Sequence, residues 1–152
     1  MREISAGEAC KLYECLEALA EHHNRVSVHF SGHYPVTPSG ERIRQFEKEL
    51  EAGTARIAVA ESGDKVIGFC KISISGRSGV LEYLVVLDEE RGKGWGAALM
   101  DWAFSCFREA GATEIEVKVV YGNDAIHLYE KYGFRPKSIL LGLDLQGGET
   151  EP

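Results

Sequence analysis

The sequence lacks the cysteine patterns of disulfide-rich and zinc-binding proteins. It has four cysteines among 152 residues, with no C-x-x-C pair and no zinc-type spacing. Each cysteine lies in a segment with apolar periodicity, which predicts small buried side chains in a reducing compartment. The four are Cys10, Cys15, Cys70 and Cys106. We therefore expect neither a metal site nor a disulfide framework.

A long apolar run and a surplus of basic residues are also missing. No apolar run approaches the roughly 18 residues that a membrane-spanning helix needs, and the polar start at Arg2 and Glu3 is unlike a secretion signal. Lys and Arg number 17 against 24 Asp and Glu, so the net charge is −7. This balance argues against nucleic-acid binding and is compatible with a cationic substrate such as an amine. We expect a cytoplasmic protein with no membrane or nucleic-acid partner.

The composition that is present is typical of one folded domain. The hydrophobic fraction is 44% and the charged fraction is 27%, both ordinary for a globular protein. A domain of this size buries roughly 68–70% of the surface of its unfolded chain. Residues 147–152 lack apolar side chains. We expect a single domain at 1–146 and a disordered tail at 147–152.

Helical spacing dominates the first part of the chain. Ser5 and Glu8 form a capping-box signature, after which apolar residues recur three and four positions apart. Glycines and prolines then interrupt the pattern before a second periodic segment. These signals predict a short strand at 2–4, a helix at 6–23, an irregular segment at 24–40 and a helix at 41–50.

Strand and helix patterns alternate in the rest of the chain. The predicted elements are a hairpin of strands at 56–61 and 65–74, a strand at 80–87, a helix to 110, a strand at 114–119, a short helix at 124–132 and a last strand at 138–144. The long helix buries Leu99, Ala103, Cys106 and Phe107. Because a helix joins the strands at 80–87 and 114–119, these strands should be parallel neighbours with a right-handed crossover. The predicted fold class is α/β with a mixed sheet.

The chain is organised around residues 84–99, where an apolar strand, a glycine loop and a helix follow one another. Gly92, Gly94 and Gly96 let backbone N–H groups face outward at the positive end of the helix dipole. Such a loop is suited to a phosphate or pyrophosphate.

The glycine loop alone does not identify its ligand. It fits the dinucleotide-binding fingerprint, with Ala97 and Glu114 at matching positions. That fold places its loop after the first strand of an alternating series, whereas an antiparallel hairpin precedes the loop in this chain. A P-loop is excluded because Gly94 follows Lys93, where Ser or Thr would be needed.

Four of the five histidines lie within residues 22–33, beside aromatic side chains. A metal site is the weaker interpretation, because no acidic or cysteine partner stands at ligand spacing. We expect a mobile loop over a pocket, and a plain surface loop is the competing interpretation. Its candidate substrate-binding residues are His29, Phe30, His33 and Tyr34.

Two segments together resemble the signatures of the GNAT superfamily of N-acetyltransferases. Residues 86–96 read V-L-D-E-E-R-G-K-G-W-G, which resembles the acetyl-CoA pyrophosphate loop. Residues 123–134 read N-D-A-I-H-L-Y-E-K-Y-G-F, which resembles the second signature. The resemblance covers roughly residues 39–144. It implies a mixed sheet splayed open between two parallel strands, with helices on both faces and acyl-CoA in the gap.

The resemblance also implies which residues contact acetyl-CoA, the one cofactor expected and a co-substrate. Backbone groups of Leu84 and Val86 would bind the pantetheine arm and the acetyl carbonyl. The other implied contacts are Arg91, Gly92, Lys93, Gly94, Trp95, Gly96, Asn123 and Tyr132. Trp95 and Tyr132 could instead pack within the protein, and Asn123 can also cap its helix.

Three side chains are candidates for catalysis. A free alkylamine has a pKa of about 10.4, so the acceptor must lose a proton before it attacks. Glu82 is the first candidate for the general base, because some family members place a base at that position, and Glu116 on the facing strand is the second. Tyr129 matches the family's tyrosine, which would donate a hydrogen bond to the departing thiolate.

We predict an enzyme that transfers acetyl from acetyl-CoA to a primary amine by direct attack in a ternary complex. The acceptor is unidentified, and a small molecule is preferred over a protein or peptide. Two further functions stay open, a non-catalytic acyl-CoA sensor and an NAD(P)-binding oxidoreductase. The acceptor is the expected partner, and a homodimer is left open.

Overall fold

The structure is a computed structural model that describes residues 1–146. The tail expected at 147–152 lies outside the described residues. The strands are β1 (Arg2–Glu3), β2 (Ala55–Ser62), β3 (Lys65–Ser75), β4 (Ser78–Val86) and β5 (Glu114–Val117). The helices are α1 (Tyr13–Val26), α2 (Ser39–Ala52), α3 (Trp95–Glu109) and α4 (Ala125–Lys131), with 3-10 helices at Ala6–Leu12 and Asp88–Glu90. None of these helices is both long and apolar enough to cross a membrane.

The five strands form one mixed sheet in chain order, from β1 to β5. The pairs β1–β2, β2–β3 and β3–β4 are antiparallel, and β4 and β5 are parallel. Helix α3 makes the crossover between the two parallel strands, as the sequence predicts. The predicted hairpin, the parallel pair and the mixed α/β fold are confirmed.

Helices cover both faces of the sheet, because alternate strand residues point to opposite sides. Ile57 and Val59 pack with α1 and α2 on one face. Ala58 and Cys70 pack with α3 and α4 on the other. The predicted buried face of α3 is confirmed, since Leu99, Ala103, Cys106 and Phe107 are all buried.

The predicted first helix begins as a 3-10 helix and becomes α-helical only at Tyr13. Ala9, Leu12 and Cys15 are fully buried at intervals of three residues, which matches the repeat of a 3-10 helix. The capping box is present, and the Ser5 N–H donates to the Glu8 carboxylate at 3.3 Å. Cys10 falls on the outer side and is exposed, so the prediction of burial is wrong for this cysteine.

The strand predicted at 138–144 is wrong. Within residues 1–146, this segment has no strand assignment and no backbone hydrogen bond to another strand. Its aliphatic side chains are exposed, and Leu141 retains 86% of its accessible surface. A run of aliphatic residues predicts a buried strand, but strand structure also needs a neighbouring edge to bond, and the segment bonds to none.

Candidate active site

The site arises where β4 and β5 separate. The two strands pair from Ser78–Glu114 to Leu81–Val117, and no pairing follows. Beyond Leu81, the edge of β4 that faces β5 therefore borders a cavity of about 390 Å³. Residues from α1, β4, the glycine loop and α4 line it: Ala18, Leu19, His22, Val26, Leu84, Val85, Val86, Asp88, Glu90, Arg91, Gly92, Gly94, Trp95, Gly96, Asn123, Asp124, Ala125, Leu128 and Tyr129.

The glycine loop presents unpaired backbone donors at one end of this cavity. Gly92 and Gly94 have φ values of 78° and 90°, a conformation that favours glycine. The first α-helical bond of α3 runs from the Ala98 N–H to the Gly94 carbonyl at 3.1 Å. The N–H groups of residues 95–97 thus precede the helical bonding pattern, and no side chain caps them. The helix dipole adds partial positive charge there, which suits an anionic group.

The space above the loop is open. A Cβ atom at Gly92 or Gly94 would meet no atom within 4 Å. Both glycines line the cavity, so a larger residue at either position would take up open space beside it. These observations fit the pyrophosphate cradle that the sequence predicts.

The two basic residues of the loop bond to neighbouring protein groups. Arg91 Nε donates to the Val86 carbonyl at 3.2 Å, and Lys93 Nζ lies 2.8 Å from Glu90 Oε2. A carbonyl oxygen has two lone pairs, so the Val86 carbonyl can accept one further hydrogen bond. Trp95 packs against the core below α1, in agreement with the packing interpretation, while part of its side chain lines the cavity.

Tyr129 lies on α4, lines the same cavity as the glycine loop and is 7% exposed. Burial raises the pKa of its hydroxyl to about 12. The hydroxyl is therefore protonated at neutral pH and can donate a hydrogen bond. The ring of Phe134 packs edge-on against Tyr129 at 5.8 Å and fixes its position.

Tyr132 lies outside the cavity, although the family resemblance implies a cofactor contact. Its ring stacks on Phe104 of α3 at 5.4 Å, with an interplanar angle of 11°. This contact corresponds to the packing interpretation and attaches α4 to α3.

Asn123 and His22 form the side of the cavity between α4 and α1. The Asn123 amide oxygen accepts the N–H of Ala125, the first residue of α4, at 3.0 Å. His22 Nε2 lies 3.4 Å from the same oxygen. An amide oxygen only accepts hydrogen bonds, so this contact suits the neutral tautomer in which Nε2 carries the hydrogen, and in that tautomer Nδ1 can accept a proton.

His22 is a site residue that the sequence motifs do not indicate. Its signal is helical spacing, because it follows Leu19 by three residues and Ala18 by four, and all three line the cavity. The other histidines of residues 23–33 obscure this spacing, because the whole group is interpreted as one loop. Gly122, with φ 105°, lets the turn before Asn123 approach the Val26 carbonyl at the end of α1.

Glu82 lies in a second cavity of about 410 Å³. Its Oε2 atom is 2.5 Å from Lys71 Nζ, and Glu49 Oε2 is 3.3 Å from the same nitrogen. Strict alternation from Leu84 and Val86 would place Glu82 at the first cavity. The register of β3 and β4 shifts after Lys71, which pairs with Tyr83, while Ile72 pairs with Leu81. Glu82 is therefore a bulge residue with no partner on β3, and the Glu82 side chain turns toward α2.

Glu116 also lies outside the cavity that Tyr129 lines. It is on β5 and is exposed, and its Oε2 atom is 2.7 Å from Lys137 Nζ. This cation lowers the pKa of Glu116 below its ordinary value. The two predicted general bases are therefore both paired with lysines, and neither lines the cavity that holds the tyrosine and the glycine loop.

The histidine-rich loop packs beside the cavity at the end of α1. The Asn24 amide oxygen accepts the N–H groups of Gly32 and Tyr34, at 2.7 and 3.1 Å. His29 stacks on Tyr121, and Phe30 contacts His33 edge-on. None of His29, Phe30, His33 and Tyr34 is among the lining residues. Across residues 1–146, no three His, Cys, Asp or Glu side chains are grouped to hold a metal ion.

Comparison with known proteins supports the assignment that the motifs suggest. The GNAT acetyltransferase domain family matches residues 53–136, more than half of the chain, including the glycine loop and α4. No curated protein sequence matches the chain.

Solved structures share the fold across nearly the whole chain. An acetyltransferase of Trypanosoma brucei is 20% identical, with a TM-score of 0.68 over 95% of this chain and 97% of that one. A ribosomal-protein-alanine N-acetyltransferase of Brucella melitensis is 17% identical, with a TM-score of 0.69 over 94% and 96%. An aminoglycoside N-acetyltransferase in complex with CoA is 16% identical, with a TM-score of 0.70 over 95% and 93%.

The family match and the topology together exclude the dinucleotide-binding fold, because the described sheet has one parallel pair where that fold needs a series. The cavity between the diverging strands, the glycine loop below it and the tyrosine on α4 all lie within the matched region or at its border. The chain belongs to the GNAT acetyltransferase family.

Proposed function

We propose that this chain transfers an acetyl group from acetyl-CoA to a primary amine of a small molecule, by direct attack in a ternary complex. One observation carries the proposal: the free edge of β4, the uncapped donors of the glycine loop and the buried Tyr129 hydroxyl line the same cavity. The acyltransferase assignment comes from the family, and the acceptor class is the proposed part.

The glycine loop and β4 supply the binding groups for the cofactor. The N–H groups of residues 92–97 lie at the positive end of α3, where they can hold the two phosphates. The free edge of β4 at Leu84 and Val86 offers backbone groups to the amide-rich pantetheine arm. The complex of an aminoglycoside N-acetyltransferase with CoA, a structural neighbour, supports this choice of cofactor.

The reaction needs a proton acceptor near the amine. When the amine nitrogen bonds to the acetyl carbon, the carbon–sulfur bond breaks and the nitrogen must lose a proton. We assign this proton to Nδ1 of His22, which accepts it directly or through one water. His22 lines the cavity, and its other ring nitrogen, Nε2, is hydrogen-bonded to Asn123. Glu82 remains the competing prediction, and its pairing with Lys71 separates it from the cavity.

Tyr129 acts on the leaving group. Its pKa of about 12 lies above the pKa of about 8.5 of an ordinary thiol. Complete transfer of the phenolic proton to the thiolate would therefore be unfavourable. We infer that Tyr129 donates a hydrogen bond to the sulfur as negative charge develops there, and that water supplies the final proton.

Two properties support an amine acceptor of small size. The net charge of −7 favours the approach of cations, and the cavity volume lies within the range of about 300–1,000 Å³ that is usual for small-molecule sites. Two of the three structural neighbours carry names that specify an aminoglycoside and a ribosomal protein as acceptors, so both acceptor classes belong in the test.

The test is a panel of amines with acetyl-CoA, followed by thiol release and by mass spectrometry of the product. Polyamines, amino sugars, amino acids and peptides with free N-termini represent the acceptor classes. We expect thiol release that depends on a small amine and is reduced in Tyr129→Phe. Acetylation of peptides alone would contradict the small-molecule acceptor, and tight acetyl-CoA binding without release for any amine would contradict catalysis.

A further inference from the structure

Two arginines meet at one carboxylate on the wall of the cavity that holds the glycine loop. Arg25 Nη2 lies 3.0 Å from Asp88 Oδ2, and Arg91 Nη2 lies 3.4 Å from Asp88 Oδ1. Asp88 and Arg91 both line the cavity. The carboxylate offsets the repulsion between the two guanidinium groups. Two cations therefore lie together where the glycine loop begins.

Arg25 comes from a distant part of the chain. It stands in the last turn of α1, 63 residues before Asp88, so neither signature segment includes it. Helix α1 reaches the cavity with His22 and Val26, which both line it. Because Arg25 follows His22 by three residues, the two side chains are neighbours on the helix surface. The fold thus brings to the glycine loop a second arginine that the motifs do not indicate.

The guanidinium group of Arg25 has hydrogen-bond donors that Asp88 does not use. A guanidinium group carries five N–H donors, and within residues 1–146 the Arg25 side chain donates from Nη2 alone, to Asp88. The side chains of Arg25 and Asp88 are 54% and 58% exposed. An exposed ion pair contributes little to the stability of a fold, but it can fix the direction of a long side chain. The remaining donors are available to a ligand at the edge of the cavity.

The charges around the glycine loop are compensated locally. In the acidic turn before the loop, Glu89 Oε1 lies 3.8 Å from Lys65 Nζ. Glu90 Oε2 lies 2.8 Å from Lys93 Nζ. These two carboxylates each face a lysine, whereas Asp88 faces two arginines and leaves a surplus of positive charge. The whole chain carries a net charge of −7, which opposes the approach of a polyanion. The surplus at Asp88 offsets this repulsion beside the loop that is suited to phosphates.

We propose that Arg25 donates hydrogen bonds to the pyrophosphate of acetyl-CoA, and that Asp88 is the positioning residue that holds Arg25 beside the glycine loop. The inference rests on the proposed function in one respect, which is that acetyl-CoA occupies this cavity. A guanidinium group is planar and can bond to two oxygens of one phosphate. The N–H groups of residues 92–97 bind the pyrophosphate from α3, and Arg25 binds it from α1.

The test measures the Kd of CoA by calorimetry on the full chain. CoA carries no acetyl group, so the measurement reports binding without transfer. Arg25→Gln removes the charged donors, and the Kd should rise roughly tenfold. Arg25→Lys keeps the charge but loses the planar arrangement of donors, so the Kd should rise by a smaller factor, about threefold. Circular dichroism checks that each variant is folded.

Arg56→Gln is the matched control. Arg56 Nη2 lies 2.6 Å from Glu3 Oε2, and the two side chains are 43% and 42% exposed. Neither residue lines either cavity. The variant loses the same charge from an ion pair of similar exposure, so its Kd for CoA should equal that of the wild type.

Dephospho-CoA identifies the phosphate that Arg25 contacts. This compound lacks the 3′-phosphate of CoA but keeps the pyrophosphate. Arg25→Gln should therefore raise the Kd of dephospho-CoA by the same factor as the Kd of CoA. A loss of affinity for CoA alone would place Arg25 at the 3′-phosphate and overturn the proposal.

A double-mutant cycle tests the role of Asp88. The ratio of Kd between Arg25→Gln and its parent is measured in the wild type and in Asp88→Asn. Any direct effect of the Asp88 charge on the phosphates cancels in this ratio. Because Asp88 positions Arg25, the ratio should fall from roughly tenfold to about twofold in Asp88→Asn. A ratio that is unchanged or larger in Asp88→Asn would overturn the positioning role.

The remaining outcomes separate this inference from the proposed function. Equal Kd values for CoA in the wild type and Arg25→Gln would overturn the inference and leave acetyl transfer untouched. A wild type that binds CoA through Arg25 but acetylates no amine would refute the transfer and leave the inference standing. A wild type that does not bind CoA would refute both.

Discussion

Lys71 Nζ lies between the carboxylates of Glu82 and Glu49, at 2.5 and 3.3 Å, although the lysine side chain is only 1% exposed. The ring of Phe46 lies 4.9 Å from the same ammonium. A buried charge is tolerated when it is paired. This arrangement explains why Glu82 faces α2, because the Lys71 ammonium that it pairs with lies on that side of the sheet.

The pairing predicts strong non-additivity in the stability of glutamine variants. Glu49→Gln or Glu82→Gln alone leaves Lys71 one carboxylate, so each should lower the free energy of unfolding by about 1 kcal/mol. The double variant leaves the buried ammonium without a counter-charge and should lose about 3–5 kcal/mol. Urea unfolding measures all three.

Glu116→Gln is the control, because Glu116 pairs with Lys137 at the surface. It should leave the free energy of unfolding close to that of the wild type, because solvent screens an exposed ion pair. Additive losses at Glu49 and Glu82 would show that Lys71 does not depend on the two carboxylates together.

The identity of the general base can be tested by comparison of two variants. His22→Gln removes the proton acceptor but keeps an amide that can bond to Asn123, so it should lower kcat roughly 10²-fold at an unchanged Kd for acetyl-CoA. Glu82→Gln should leave kcat of the folded fraction close to that of the wild type. A large loss in Glu82→Gln together with a normal His22→Gln would assign the base to Glu82 and refute our placement.

The role of Tyr129 predicts a defect in chemistry without a defect in binding. Tyr129→Phe keeps the ring against Phe134 but removes the hydroxyl donor, so kcat should fall roughly 10²-fold while the Kd of acetyl-CoA changes little. Tyr132→Phe, which keeps the stack on Phe104, is the control and should retain activity. Equal kcat values in wild type and Tyr129→Phe would remove this tyrosine from the mechanism.

The pH dependence of Tyr129 follows from its environment. Burial raises the pKa of the hydroxyl to about 12, and the donor form is the protonated one. Activity that depends on this donor is therefore retained through neutral and mildly alkaline pH, and it is lost only as the pH approaches that value. A decline of kcat in wild type between neutrality and about pH 10 that is absent in Tyr129→Phe would contradict the assignment.

The pyrophosphate cradle is tested by a side chain at Gly94. Gly94→Val places a branched side chain in the open space that faces the cavity and strains a residue with φ 90°. We expect acetyl-CoA binding to be lost, as measured by calorimetry. Gly76→Val is the matched control, because Gly76 also has positive φ, 62°, and open surroundings, but it lies in the β3–β4 turn. Normal binding in Gly94→Val would contradict the cradle.

Much of the fold could be predicted because its signals are local. The apolar spacing of α3 and the alternation along β5 each depend on residues a few positions apart, and both segments have the structure that the pattern indicates. The glycine loop and Tyr129 could be related to one another because each belongs to one of the two segments that resemble the GNAT signatures.

The parts that could not be predicted depend on contacts beyond the local pattern. The orientation of Glu82 depends on a register shift opposite Lys71, and a single extra residue in β4 changes the face of every residue before it. Leu141 and its neighbours have the composition of a strand, but strand formation needs a backbone partner. His22 belongs to the site because it contacts Asn123, which lies 101 residues later in the chain, and no local pattern indicates such a contact.

A crystal structure with acetyl-CoA bound tests the central claim most directly. We predict that the pyrophosphate accepts hydrogen bonds from the N–H groups of residues 92–97, that the pantetheine arm follows β4 at Leu84 and Val86, and that the thioester sulfur lies within hydrogen-bond distance of the Tyr129 hydroxyl. Acetyl-CoA bound in the second cavity beside Lys71, or with its thioester remote from Tyr129, would contradict the account.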